Sequence, residues 1–109
     1  SRARFDYYAR KRLENAHLQN TAPTYGWVKE AVGVTKVLLD KELDRQIETP
    51  LLLCQASRDT VVCLPEQNRF VSLLPHAQLR AFDAKHEIYM STNDIMREYV
   101  PTVIEFLRG

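Results

Sequence analysis

The sequence predicts an α/β fold, with residues 49–109 running strand–helix–strand–helix behind a helical segment over residues 1–48. Three observations carry this expectation. Leu51-Leu52-Leu53-Cys54 is a short continuous apolar run bounded by Pro50 and by the polar Ser57-Arg58-Asp59, the pattern of a strand buried on both faces as in parallel sheets. Gln78-Leu79-Arg80-Ala81-Phe82 alternates and reads as a second strand. Between them lies a helical stretch, and a strand–helix–strand link of this length suits a parallel crossover.

Taken from the N-terminus, residues 2–19 have helical spacing, with Phe5, Tyr8, Ala9, Leu13 and Ala16 recurring every three or four positions. Gln19-Asn20-Thr21-Ala22-Pro23 breaks the pattern. A second helix is expected from Thr24, carrying Trp27, Val28, Ala31 and Val32, and Gly33 is expected to interrupt it. A third helical segment is expected from Val34 to Ile47, with Val34, Val37, Leu38, Leu43 and Ile47 on one side. In the second half, Pro65 suits the first turn of a helix that continues through Phe70, Val71 and Leu74 to Pro75-His76. Ser91-Thr92-Asn93-Asp94 resembles a capping box. The last helix has the strongest period: Ile95, Met96, Tyr99, Val100, Val103, Ile104 and Leu107. Pro101 lies within it, and should kink it or face solvent, because proline lacks the backbone donor.

Composition excludes several classes. The chain has 109 residues, 45% hydrophobic, with net charge +1. That is an ordinary globular composition, with no global field that would favour nucleic acid. The first twenty residues are locally basic: Arg2, Arg4, Arg10, Lys11 and Arg12 outnumber Asp6 and Glu14. This segment, 2–12, reads either as a solvated helix face or as a patch for peripheral contact with anionic headgroups. Cys54 and Cys63 lack metal-ligand spacing, and Cys54 reads as a reduced, buried thiol. That suits a cytoplasmic chain, with any contact at the inner membrane being peripheral. No apolar run reaches the roughly 18 residues needed to span a bilayer. The chain opens without Met directly into a helical pattern and is read as a piece of a longer protein.

Two turns carry the chemistry. Asp59 follows the first strand and His86 follows the second, 27 residues later. Open α/β sheets hold their chemistry just past the carboxyl ends of their strands. Neighbouring parallel strands lie about 4.8 Å apart, so the two side chains can meet. A carboxylate on one imidazole nitrogen fixes the tautomer, leaves the other nitrogen as base, and stabilises the imidazolium. A serine nucleophile needs such a pair at neutral pH. Read separately, Asp59 is a turn or cap residue and His86 a surface histidine. No Gly-x-Ser-x-Gly stretch occurs, and Ser57, Ser72 and Ser91 lack an elbow context. His17 and His76 have no partners at metal spacing. Glu87 is either a support for the imidazole or an exposed carboxylate, and Tyr25 with Trp27 either packs or faces an acyl chain.

From Tyr25 onward, and from Arg2 more loosely, the chain resembles the C-terminal part of α/β-hydrolases. More narrowly, it resembles bacterial lysophospholipases and their relatives, the monoacylglycerol lipases. Thr49-Pro50-Leu51-Leu52-Leu53-Cys54-Gln55-Ala56-Ser57-Arg58-Asp59-Thr60-Val61-Val62 resembles the strand and acid turn, with Ala56 where Gly is usual. Lys85-His86-Glu87-Ile88, followed by Asn93-Asp94 and Arg97, resembles the histidine turn and last helix, with Asp83 where Gly is common. Pro23-Thr24-Tyr25-Gly26-Trp27-Val28 resembles part of the lid of the lysophospholipase branch. The resemblance implies that Asp59 is the triad acid and His86 the base. It further implies that residues 1–48 form a lid or cap and 49–109 the end of the hydrolase core.

The implied activity is serine ester hydrolysis of a lipid ester, a lysophospholipid in particular, with the nucleophile outside these residues and with no metal or organic cofactor. Alternatives are another hydrolase reaction on the same fold (peptide, thioester or haloalkane cleavage) and a non-enzymatic interaction module. A strand at 51–54 with one edge unpaired would favour self-association, which light scattering at high concentration would reveal and a clean monomer would refute.

Overall fold

The computed structural model describes residues 1–19, 22–38 and 46–109. The chain divides into two compact units, Ser1–Val37 and Leu38–Gly109.

The first unit is helical. Helix α1 spans Arg2–Glu14, shorter than the expected 2–19. Asn15 leaves the helix in an extended conformation, and its side chain accepts from the His17 N–H at 3.0 Å. Asparagine competes with the helix in this way because its short amide can bond nearby backbone. A single 3-10 turn, Ala16–Leu18, follows. The Gln19 amide then donates to the Arg12 carbonyl at 2.9 Å, satisfying one of the acceptors left open at the end of α1.

Helix α2 spans Tyr25–Leu38. Thr24 caps it: its hydroxyl accepts from the Trp27 N–H at 3.2 Å and its carbonyl from the Val28 N–H at 3.1 Å. The expected interruption at Gly33 is absent, and the helix runs through it. A glycine inside a helix costs about 1 kcal/mol relative to alanine, which lowers local stability without ending the hydrogen-bond ladder. Part of the expected segment to Ile47, Leu43 included, lies outside the described residues.

The second unit has the predicted order. Strand β1 is Leu51–Ala56, helix α3 Leu64–Ser72, strand β2 Ala77–Phe82 and helix α4 Asn93–Arg108, with a 3-10 turn at Ile88–Met90. The strands are parallel, from Leu51 opposite Ala77 to Ala56 opposite Phe82. Pro65 sits in the first turn of α3, where its missing N–H costs no bond. The helix ends at Ser72, before the expected Leu74, as Leu73 and Leu74 donate to Phe70 and Val71 in tightened turns.

Residues 51–54 are half-buried, and full burial begins only at Gln55 and Ala56. The expectation of a strand covered on both faces is therefore corrected. Among the described residues β1 pairs with β2 alone, and two strands offer little surface to cover. The same limit shows in α4. Ile95, Met96, Tyr99, Val103 and Phe106 are half-buried, but Val100, Ile104 and Leu107 of the expected apolar face are exposed. At the start of α4 the Thr92 side chain makes no cap bond. Thr92 is the N-cap, which places Ile95 rather than an acid at the third helical position. Asp94 instead pairs with Arg97 at 3.2 Å. Pro101 faces solvent within a continuous helix.

The core lies at the carboxyl ends of the two strands. Ala56, Phe82, Ala84 and Ile88 are buried together, with Cys54, Ile95 and Tyr99 against them. Phe82 and Tyr99 meet edge to face, with ring centroids 5.5 Å apart, a favourable geometry for aromatic quadrupoles. The buried cluster thus includes the last residues of both strands, Ala56 and Phe82, and flanks His86 in sequence with Ala84 and Ile88.

Candidate active site

The loop after β1 is fixed by backbone bonds before any side chain acts. The Ser57 N–H donates to the Phe82 carbonyl at 2.9 Å, extending the ladder one step past the strands. The Arg58 N–H donates to the Ala84 carbonyl at 3.0 Å, and the Asp59 N–H turns back to the Ala56 carbonyl at 3.1 Å. Asp59 Oδ1 then accepts from the backbone N–H groups of Val61 (2.8 Å) and Val62 (3.2 Å). This is the turn chemistry for which aspartate is suited, and it consumes one carboxylate oxygen.

The other oxygen faces the second loop. Asp59 Oδ2 lies 2.8 Å from His86 Nδ1. The Asp59 side chain is 3% exposed and that of His86 46%, so the carboxylate is shielded and the imidazole reaches solvent. Burial pushes the Asp59 carboxyl up. The Val61 N–H, the His86 hydrogen bond, the Val62 N–H and the charge of His86 outweigh it and hold the group below the usual carboxylate range. An ionised carboxylate only accepts, so Nδ1 is the donor and Nε2 is left as the basic nitrogen of the neutral ring. Such an arrangement can take a proton at Nε2 and stabilise the resulting imidazolium.

The other sequence candidates lie on several elements of the fold. Ser72 Oγ donates to the Arg69 carbonyl in its own helix at 2.7 Å. Glu87, adjacent to His86, accepts from the Tyr89 hydroxyl at 3.1 Å. Tyr25 and Trp27 are exposed on α2, His17 lies in the 3-10 turn after α1, and His76 precedes β2. Among the described residues no group of three or more His, Cys, Asp or Glu side chains could hold a metal ion. Both cysteines are free, Cys63 is exposed, and burial pushes the Cys54 thiol up.

Two features escaped the sequence reading. Gln55 is buried and its amide donates to Gln67 at 2.9 Å and Asn68 at 3.0 Å, tying β1 to α3. Arg58 and Asp83 form an ion pair at 2.6 Å between the two loops. The sequence signal for the second was only that Arg58 and Asp83 each stand just past a strand.

Comparison with known proteins gives a partial match. The chain is 25% identical over 107 residues to a probable lysophospholipase L2 of Haemophilus influenzae, covering 97% of this chain and 34% of that protein. The chain therefore spans about a third of the length of that relative. No protein-family model matches, and no solved structure matches. The similarity supports a hydrolase-like relative, and among the described residues no helix is long and apolar enough to cross a membrane.

Proposed function

We propose that these residues are the acid-and-base end of a serine ester hydrolase that releases fatty acid from lysophospholipids. The observation that carries the reading is the shielded Asp59 carboxylate 2.8 Å from His86 Nδ1 at the carboxyl ends of two parallel strands. The likeness to a probable lysophospholipase supports the substrate class.

On this reading a serine outside the 109 residues attacks the acyl carbonyl. His86 Nε2 takes its proton and passes it to the departing alcohol. Asp59 holds the ring by Nδ1 and balances the imidazolium charge while it exists. Water then approaches the acyl-enzyme, gives a proton to His86, and releases the fatty acid as the serine is reprotonated. Residues 1–48, with Tyr25 and Trp27 exposed on α2, are assigned to a lid segment, and residues 49–109 to the end of the catalytic core.

The test is covalent labelling with a fluorophosphonate, which reacts with activated serines. A gene product that contains these residues is expected to label at one serine beyond them, and lysophosphatidylcholine should protect it. The 109-residue chain by itself is expected to remain unlabelled and inactive, because it lacks both nucleophile and elbow. Labelling of Ser57, Ser72 or Ser91, or a full-length product that never labels, would contradict the reading.

A further inference from the structure

We propose that Arg58 and Asp83 form a clamp that sets the histidine loop against the acid loop, and that both act as positioning residues for the His86 imidazole. The proposal rests on the Asp59–His86 reading above and deepens it.

Arg58 immediately precedes Asp59, and Asp83 lies three residues before His86. Arg58 grips the opposite loop at three points. Its Nε lies 2.6 Å from Asp83 Oδ1, its Nη2 donates to the Asp83 carbonyl at 2.9 Å, and its backbone N–H donates to the Ala84 carbonyl at 3.0 Å. The two side-chain bonds chelate one residue by its carboxylate and its carbonyl. A guanidinium can do this because its donors form a rigid planar fork, whereas a lysine ammonium is a single point.

The position of the clamp gives it a task. Strand pairing ends at Ala56 opposite Phe82, and only two backbone bonds, Ser57 N–H to Phe82 and Arg58 N–H to Ala84, carry it further before the path to His86 leaves the sheet. His86 is 46% exposed, and packing alone therefore restrains its ring weakly. Its bond to Asp59 requires two separate loops to keep one spacing. Ala84, buried in the core, anchors the inner side of the histidine loop, and the Arg58–Asp83 pair holds the outer side.

The ion pair is exposed, at 60% for Arg58 and 74% for Asp83. Exposed pairs add little to global stability and are screened by salt. A clamp of this kind is thus distinguishable from a structural bond. Its removal should leave the unfolding midpoint almost unchanged while freeing the imidazole.

The experiment is two-bond proton–nitrogen NMR of the His86 ring in the 109-residue chain, at a pH where the ring is neutral. The parent sequence should show the Nδ1–H tautomer. Arg58→Ala and Asp83→Ala should each shift the ring toward the Nε2–H tautomer and speed Nδ1 proton exchange by about tenfold, the scale of one loosened charge-assisted hydrogen bond. Arg58→Lys should restore part of the loss. High salt should move the parent toward the variants and leave the variants unmoved. If either alanine variant keeps the parent tautomer and exchange rate, the clamp is overturned. Asp59→Asn separates the two claims. When it shifts the tautomer but the clamp variants do not, only the clamp fails. When Asp59→Asn itself changes nothing, the Asp59–His86 pair fails and the clamp with it.

Discussion

Helices α1 and α2, in the unit Ser1–Val37, contain no buried residue, whereas the unit Leu38–Gly109 closes a core around Ala56, Phe82, Ala84 and Ile88. The first unit is satisfied by local bonds: helix ladders, the Asn15 side chain on His17, and Thr24 on Trp27. The second depends on pairing between residues 26 or 27 positions apart, such as Ala56 with Phe82 and Asp59 with His86. Precise chemistry needs the second kind of support. A helix can present a side chain, but an acid and a base from two loops keep their spacing only when non-local packing fixes both loops.

That contrast can be broken at its strongest point first. Phe82→Ala removes the ring that packs on Tyr99 within the buried core, and is expected to cost about 3–5 kcal/mol. Urea unfolding followed by near-ultraviolet absorption measures it, and a loss below about 1 kcal/mol would show that the core is not what holds the strands.

Acid acts next. The Asp59 carboxyl sits below its usual range in the folded chain. Its contribution to stability is therefore complete above the unfolded value near 3.9 and is lost as pH falls through the lower folded value. Asp59→Asn lacks this titration, so the stability gap between parent and variant should narrow as pH drops below about 4. A gap that stays constant from neutral to acid pH would contradict the assignment of the shift to the folded turn.

The smallest effect is expected in the first unit. Trp27 is 65% exposed, and Trp27→Ala should alter stability by less than about 0.5 kcal/mol. The same unfolding measurement compares it with Phe82→Ala, and equal losses would erase the distinction between the units.

Legibility in the sequence followed the same division. The strand–helix–strand–helix order was readable because the Leu51–Cys54 run, Pro65 and the α4 period are strong local signals. The meeting of Asp59 and His86 was readable because parallel pairing puts two strand ends at one edge. Element ends were less so. Asn15 stops α1 through its own side chain, Gly33 is tolerated, and the cap of α4 moves one residue to Thr92, since such choices balance small competing energies. The covered face of α4 depends on how much sheet lies beneath it, which no single helix records. Arg58 and Asp83 each look like ordinary surface charges, and only the register of two loops makes them a pair.

The most direct measurement is the rate of fatty-acid release from lysophosphatidylcholine by a full-length gene product containing these residues, compared with its His86→Ala variant. The account predicts hydrolysis by the parent and a fall in kcat of at least about 10³-fold, with KM little changed, as expected when a general base is removed from an intact binding site. Undiminished turnover in the variant would contradict it.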